Sequence, residues 1–86
     1  FKEDYHRRDM LSVIMTSPER VLYEGTAERV IAPGDMGTFE VLPLHRKLVS
    51  RLRAGKLIID EKAYRIWRGV LCVADDVVTV VVELKG

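Results

Sequence analysis

From residue 16 onward the chain never runs far without a residue that breaks it. Thr16-Ser17-Pro18, Gly25, Pro33-Gly34, Gly37, Pro43, Ala54-Gly55, Asp60-Glu61-Lys62-Ala63 and Asp75-Asp76 recur about a dozen residues apart or less, which is the punctuation of a β-sandwich or barrel. An ordinary helix needs about eleven unbroken residues with apolar positions three and four apart. Only KLVSRLRAG, residues 47–55, approaches that pattern, through Leu48, Val49 and Leu52. It ends at once on Ala54-Gly55, so it is read as a short extended segment.

The segments between the breaks read as strands. LSVIM (11–15), RVLYEG (20–25, closing on Gly25) and AERVIAPG (27–34) come first. In GTFEVLP (37–43) Phe39 and Val41 point one way and Thr38 and Glu40 the other, the period-2 signature of a half-buried strand. Leu57-Ile58-Ile59 is expected to pair with Tyr64–Trp67 across Asp60-Glu61-Lys62-Ala63. A last hairpin turns at Asp75-Asp76, and the β-branched run Val77–Val82 suits a strand buried on both faces. The expected fold class is all-β, with eight to ten short strands.

The chain has 86 residues, which predicts one domain with a modest core. FKEDYHRRD, residues 1–9, is charged and lacks the apolar centre of a signal peptide. It is read as a flexible N-terminal arm or a remnant of recombinant expression, with the domain proper spanning 10–86. No apolar run approaches the roughly 20 residues of a membrane span. The single cysteine, Cys72, cannot form an internal disulfide and is expected to be a buried apolar residue.

The sequence offers little for catalysis. Gly34-Asp35-Met36-Gly37 opens a strand and not a helix, and Leu57 follows Gly55-Lys56 where a magnesium-binding hydroxyl would stand. The glycines are therefore assigned to turns. The two histidines, His6 and His45, are far apart and lack the partners that a zinc or triad site requires. His45 is read as a surface or partner-contacting residue. Asp60-Glu61 and Asp75-Asp76 are read as solvated turn residues. No cofactor is expected.

The charge distribution is more informative than the net charge of +1, which does not favour nucleic acid. Arg46, Lys47, Arg51, Arg53 and Lys56 follow one another with no acid between Glu40 and Asp60. Two readings stand. One is a solvated positive edge that discourages strand pairing. The other is a docking face for an acidic protein or anionic lipid heads. A small β-barrel binding nucleic acid through residues 46–56 is the alternative function. Trp67 is assigned to packing, because base-stacking sheets carry several exposed aromatics and this chain has only one Trp, three Tyr and two Phe.

The order of the pieces resembles a known family. Leu11-x-Val13, Ser17-Pro18-Glu19-Arg20-x-Leu22-x-x-Gly25, Val30-Ile31-Ala32-Pro33-Gly34 and Gly37-x-Phe39-Glu40-Val41-Leu42-Pro43-x-His45 are similar to the N-terminal domain of the epsilon subunit of rotary F-type ATP synthases. Gly55-x-Leu57 and the closing VLCVADDVVTVVVE continue the likeness, which covers about residues 10–84. The resemblance implies a flattened ten-stranded β-sandwich and a non-catalytic rotor subunit. Such a subunit binds gamma and the c-ring and couples rotation to ATP synthesis. It lies peripherally on the cytoplasmic side of the inner membrane and meets the membrane only through the ring. The implied partner-binding residues are Ser17, Thr38, Leu44, His45, Arg46, Lys47 and Ser50, with Ser17 and His45 expected on one exposed face.

Three departures accompany the likeness. A small residue usually precedes the histidine and Ala-Pro follows it; here Leu44 precedes and Arg46-Lys47 follow. Trp67-Arg68-Gly69 stands where the family has Ser-Gly-Gly. These changes imply a divergent branch or an alternative ATPase with its own gamma and ring. The family's C-terminal helical hairpin is not within these 86 residues, so neither nucleotide binding nor an inhibitory arm is expected of them.

Overall fold

The computed structural model describes residues 10–86; the expected N-terminal arm, residues 1–9, and with it His6, lies outside the described residues. The described residues form nine strands: β1 (Leu11–Thr16), β2 (Val21–Ala27), β3 (Val30–Gly34), β4 (Gly37–Val41), β5 (Leu48–Leu52), β6 (Gly55–Ile59), β7 (Lys62–Ile66), β8 (Arg68–Ala74) and β9 (Val77–Glu83). The ambiguous segment at 47–55 supplies β5 and the start of β6, and no helix occurs among the described residues.

Hydrogen bonding links the strands in the order β2-β1-β9-β8-β5-β3-β6-β7, with β4 on the other side of β3. β3 is the corner of this path. Its start pairs with β6 through Val30–Ile59 and Ile31–Ile58, while its end pairs with β5 through Gly34–Leu52 alone. Pro33, which lacks an N–H, sits at this corner and accepts the Arg53 N–H at 2.8 Å through its carbonyl. The sheet curls here into two layers, so the expected β-sandwich is the observed architecture.

Period-2 alternation builds the core between the layers. Leu11, Val13 and Met15 of β1 are buried while Ser12 is exposed. In β9, Val78, Val80 and Val82 are almost fully buried, yet Val77 and Val81 are 47% and 53% exposed. This corrects the expectation that Val77–Val82 is buried on both faces. Among the described residues, only the inner face of β9 meets a second layer. Cys72 is corrected for the same reason. Leu71 and Val73 take the inward positions of β8, so the thiol between them points outward and is exposed.

Two turn assignments also change. Gly25 does not end its strand; β2 runs on to Ala27, with Gly25 opposite Val13. The β6–β7 connection is tighter than expected, because Ile59 pairs directly with Lys62 and only Asp60-Glu61 turn. Asp60 adopts φ +53°, a left-handed conformation that Asp tolerates better than most residues. Its Oδ1 accepts the N–H groups of Glu28 and Arg29 at 2.8 and 3.1 Å, tying this hairpin to the β2–β3 link. The β8–β9 hairpin turns at Asp75-Asp76 as expected, with φ of +52° and +63°. These values are those of a type I′ turn, whose twist matches that of the strands it joins.

Candidate functional site

The β3–β4 hairpin and the segment leading into β5 face each other. Asp35 and Met36 form the hairpin tip, with Gly37 at φ +125°, a conformation that glycine adopts without strain. Gly34 is held close to its neighbours; a Cβ there would meet the Phe39 ring at 2.8 Å and the Gly37 carbonyl at 3.0 Å. Between residues 34–39 and 45–50 lies an open groove of about 600 Å³. It brings together Thr38, His45, Arg46, Lys47 and Ser50. Leu44 and Ser17 do not line it.

Each of these side chains has a defined setting. Thr38 is on the exposed side of β4. His45 is half-buried, and its Nδ1 lies 2.7 Å from the Arg46 carbonyl. A carbonyl only accepts, so Nδ1 carries the hydrogen and Nε2 remains available. Arg46 and Lys47 are exposed. The Ser50 hydroxyl donates to the Arg51 carbonyl at 3.0 Å. Ser17 is only 9% exposed and so does not share an open face with His45. Its Oγ accepts the Glu19 and Arg20 N–H groups and donates to the Arg20 carbonyl, all at 3.3 Å. These bonds make it the organiser of the turn before β2. Leu44 is 83% exposed and stands at the other end of the segment. There its N–H donates to Asp76 Oδ1 at 2.7 Å.

Arg46, Lys47, Arg51, Arg53 and Lys56 are all exposed. Among the described residues the ion pairs are Arg29–Glu40 at 3.6 Å and Arg68–Glu83 at 3.0 Å, and neither involves this group. Next to it lies a surface that the sequence pattern did not reveal. Register places Val49 beside Cys72, Thr79 and Ile14 in one row, and Arg51 beside Val70, Val81 and Thr16 in the next. Val49 is 74% exposed and Val70 41%, so the outer face of β5, β8 and β9 is apolar and uncovered among the described residues. The signal lies in the β-branched run of β9, whose outward Val77, Thr79 and Val81 alternate with the buried Val78, Val80 and Val82.

A wider groove, about 780 Å³, lies elsewhere, between the β6–β7 turn and Tyr23. It is structural in character. Asp60 is occupied by two backbone N–H groups, and the Tyr23 hydroxyl donates to the Thr26 carbonyl at 2.6 Å. Loss of solvent contact, then the Asp60 carboxylate and Tyr64, push the Tyr23 phenol above its usual range. The folded state thus holds this proton at a pH where the unfolded chain has released it. Stability present below about pH 10 is lost as pH rises through the folded value. Chemical denaturation between about pH 8 and pH 11 should show this loss, and Tyr23→Phe should flatten it; an equally steep loss in the variant would assign it to other groups.

The architecture and these surfaces can be set against known proteins. Residues 10–84 match the family described as the ATP synthase delta/epsilon chain, β-sandwich domain. The chain belongs to this family. Among its relatives, the ATP synthase epsilon chain of Acidithiobacillus ferridurans is 36% identical over 77 residues, covering 85% of this chain and 55% of that one. The epsilon chain of Leptospira borgpetersenii serovar Hardjo-bovis is 34% identical over 77 residues, covering 85% and 61%. The chain therefore spans little more than half the length of these epsilon chains. The fold is shared with a chain of the Euglena gracilis mitochondrial ATP synthase at a TM-score of 0.79 and 20% identity, covering 86% of this chain and 51% of that one. A chain of the Tetrahymena thermophila central stalk and c-ring structure matches at 0.74 and 15%, covering 85% and 63%. The family resemblance drawn from the sequence is thus its true affiliation.

Proposed function

We propose that this domain is the docking module of a rotor subunit in a rotary ATP synthase. In this reading it binds gamma and the c-ring and couples rotation of the ring to ATP synthesis in the catalytic head. It contributes no catalytic group of its own. It sits on the cytoplasmic side of the inner membrane, peripherally, and reaches the membrane only through the ring. Thr38, Leu44, His45, Arg46, Lys47 and Ser50 are its partner-facing residues, with Ser17 acting indirectly by fixing its turn.

The observation that carries this reading is the uncovered apolar face of β5, β8 and β9 beside a basic edge. Such a surface fits permanent burial against a folded protein, with charge setting the orientation. The nucleic-acid alternative gains no support from the relatives. Trp67 is 47% exposed, with part of its indole covered by Gly86, where a Cβ would meet Nε1 at 2.8 Å.

Calorimetry of the full chain against a gamma subunit from the same organism tests the proposal. The expected result is one-to-one binding with a negative heat-capacity change, because apolar surface leaves water. No heat and no co-elution with gamma would overturn it, and salt-sensitive binding to single-stranded oligonucleotides would revive the alternative.

A further inference from the structure

Leu44 is a side chain near the docking edge whose strained placement gains nothing within the domain. The His45 N–H donates to the Leu42 carbonyl at 3.1 Å, closing a four-residue turn with Pro43 and Leu44 at its centre. Proline holds the first central φ negative, and Leu44 has φ +70°. Together these define a type II turn, whose second central position is normally glycine. A leucine there crowds its Cβ against the following carbonyl. Strain of this kind ordinarily persists because something else makes use of it. Here the side chain is 83% exposed, so burial inside the domain does not offset it.

The turn is also fixed in place. The Leu44 N–H is bound by Asp76 Oδ1 at 2.7 Å, which anchors it to the tip of the β8–β9 hairpin. Leu42, on the other side of Pro43, is 47% exposed. The result is an anchored apolar tip with Arg46 and Lys47 just beyond His45.

We infer that Leu44 is an anchor that inserts into a leucine-sized apolar pocket on a protein partner, edged by carboxylates where it meets Arg46 and Lys47. The inference rests on the rotor-docking reading and adds to it the residue that sets partner choice. An anionic membrane surface is the competing host for an apolar tip beside cations. It is disfavoured because a turn pinned by the Leu44 N–H to Asp76 Oδ1 bond at 2.7 Å suits a shaped pocket better than fluid lipid.

The turn supplies a clean test. Leu44→Gly places the preferred residue at this φ, so it removes the anchor while leaving the melting temperature unchanged or higher. Leu44→Asn also tolerates the conformation and guards against an effect of added backbone freedom, and Leu44→Met keeps an apolar side chain. Binding of the full-length variants to a purified gamma–c-ring subcomplex is measured beside binding to vesicles containing about one-third anionic lipid. The expected result is a loss of roughly tenfold to a hundredfold in affinity for Leu44→Gly and Leu44→Asn, a change of a few-fold at most for Leu44→Met, and no dependence of vesicle binding on residue 44. Undiminished binding of Leu44→Gly to the rotor overturns the inference while leaving the docking reading intact. Loss of vesicle binding alone transfers the anchor to a membrane and overturns it as well. If the unsubstituted chain does not bind the rotor, the docking reading fails first and the inference with it.

Discussion

Gly69→Val is expected to lower the melting temperature by roughly 10–20 °C, the largest stability effect of a single surface-proximal change in this domain. Gly69 lies in β8 opposite Val82 of β9 and Leu52 of β5. A Cβ at this position would sit 2.5 Å from the Val81 carbonyl oxygen and 2.8 Å from Val82 Cγ1. The first of these is backbone, held by the β8–β9 ladder, so it cannot rotate away as a side chain would. Relief requires β8 and β9 to separate locally, at a point where the neighbouring Arg68–Glu83 pair and the Trp67 N–H to Glu83 carbonyl bond also close the sheet. Overpacking of this kind costs about 1–3 kcal/mol, a large share of the stability of a domain this small. Thermal melting followed by circular dichroism measures it; a shift of less than about 2 °C would mean that the strands yield more easily than their geometry implies.

A large effect on binding is also expected from reversing the two cations after His45. Arg46→Glu with Lys47→Glu should weaken association with the gamma subunit at least about tenfold at low ionic strength, mainly through a slower on-rate. The difference should shrink between about 0.02 M and about 0.5 M salt, as screening shortens the reach of exposed charges. Stability should stay within about 2 °C, since both side chains are exposed and neither joins an ion pair among the described residues. Equal affinity at low salt would remove the basic edge from the docking surface. A matching loss at all salt concentrations would indicate a desolvated contact instead of steering.

The parts of the fold that were legible in the sequence are those governed by local chemistry. Alternation in Gly37–Val41 set its faces correctly, and Asp75-Asp76 marked a turn that only left-handed-tolerant residues make easily. Strand existence survived even at 48–52, where helical spacing competed, because Ala54-Gly55 left no room for a helix. What was not legible depends on what covers each face. Val77, Val81 and Cys72 carry the same apolar chemistry as Val78 and Val80, and only register separates the two sets. The candidate site divides the same way. The run of cations and the presence of His45 were visible, whereas the enclosure of the Ser17 hydroxyl in its own turn was not, because it depends on backbone groups. The left-handed Leu44 was hidden too, since a leucine gives no sign that it occupies a glycine's conformation.

The parallel pairing of β1 with β9, Ser12 against Val77 through Thr16 against Val81, determines when the molecule can be finished. Of the nine described strands β1 leaves the ribosome first, and its second neighbour, β9, follows the other eight. The local hairpins β1–β2, β3–β4 and β6–β7 can close as they emerge, but β1 keeps one row of amides and carbonyls open until β9 arrives. Contacts of such sequence separation are slow to form, and an open edge invites pairing with another chain. A nascent chain halted before β9 would therefore carry nearly all the information for the fold and still be at its most vulnerable to aggregation.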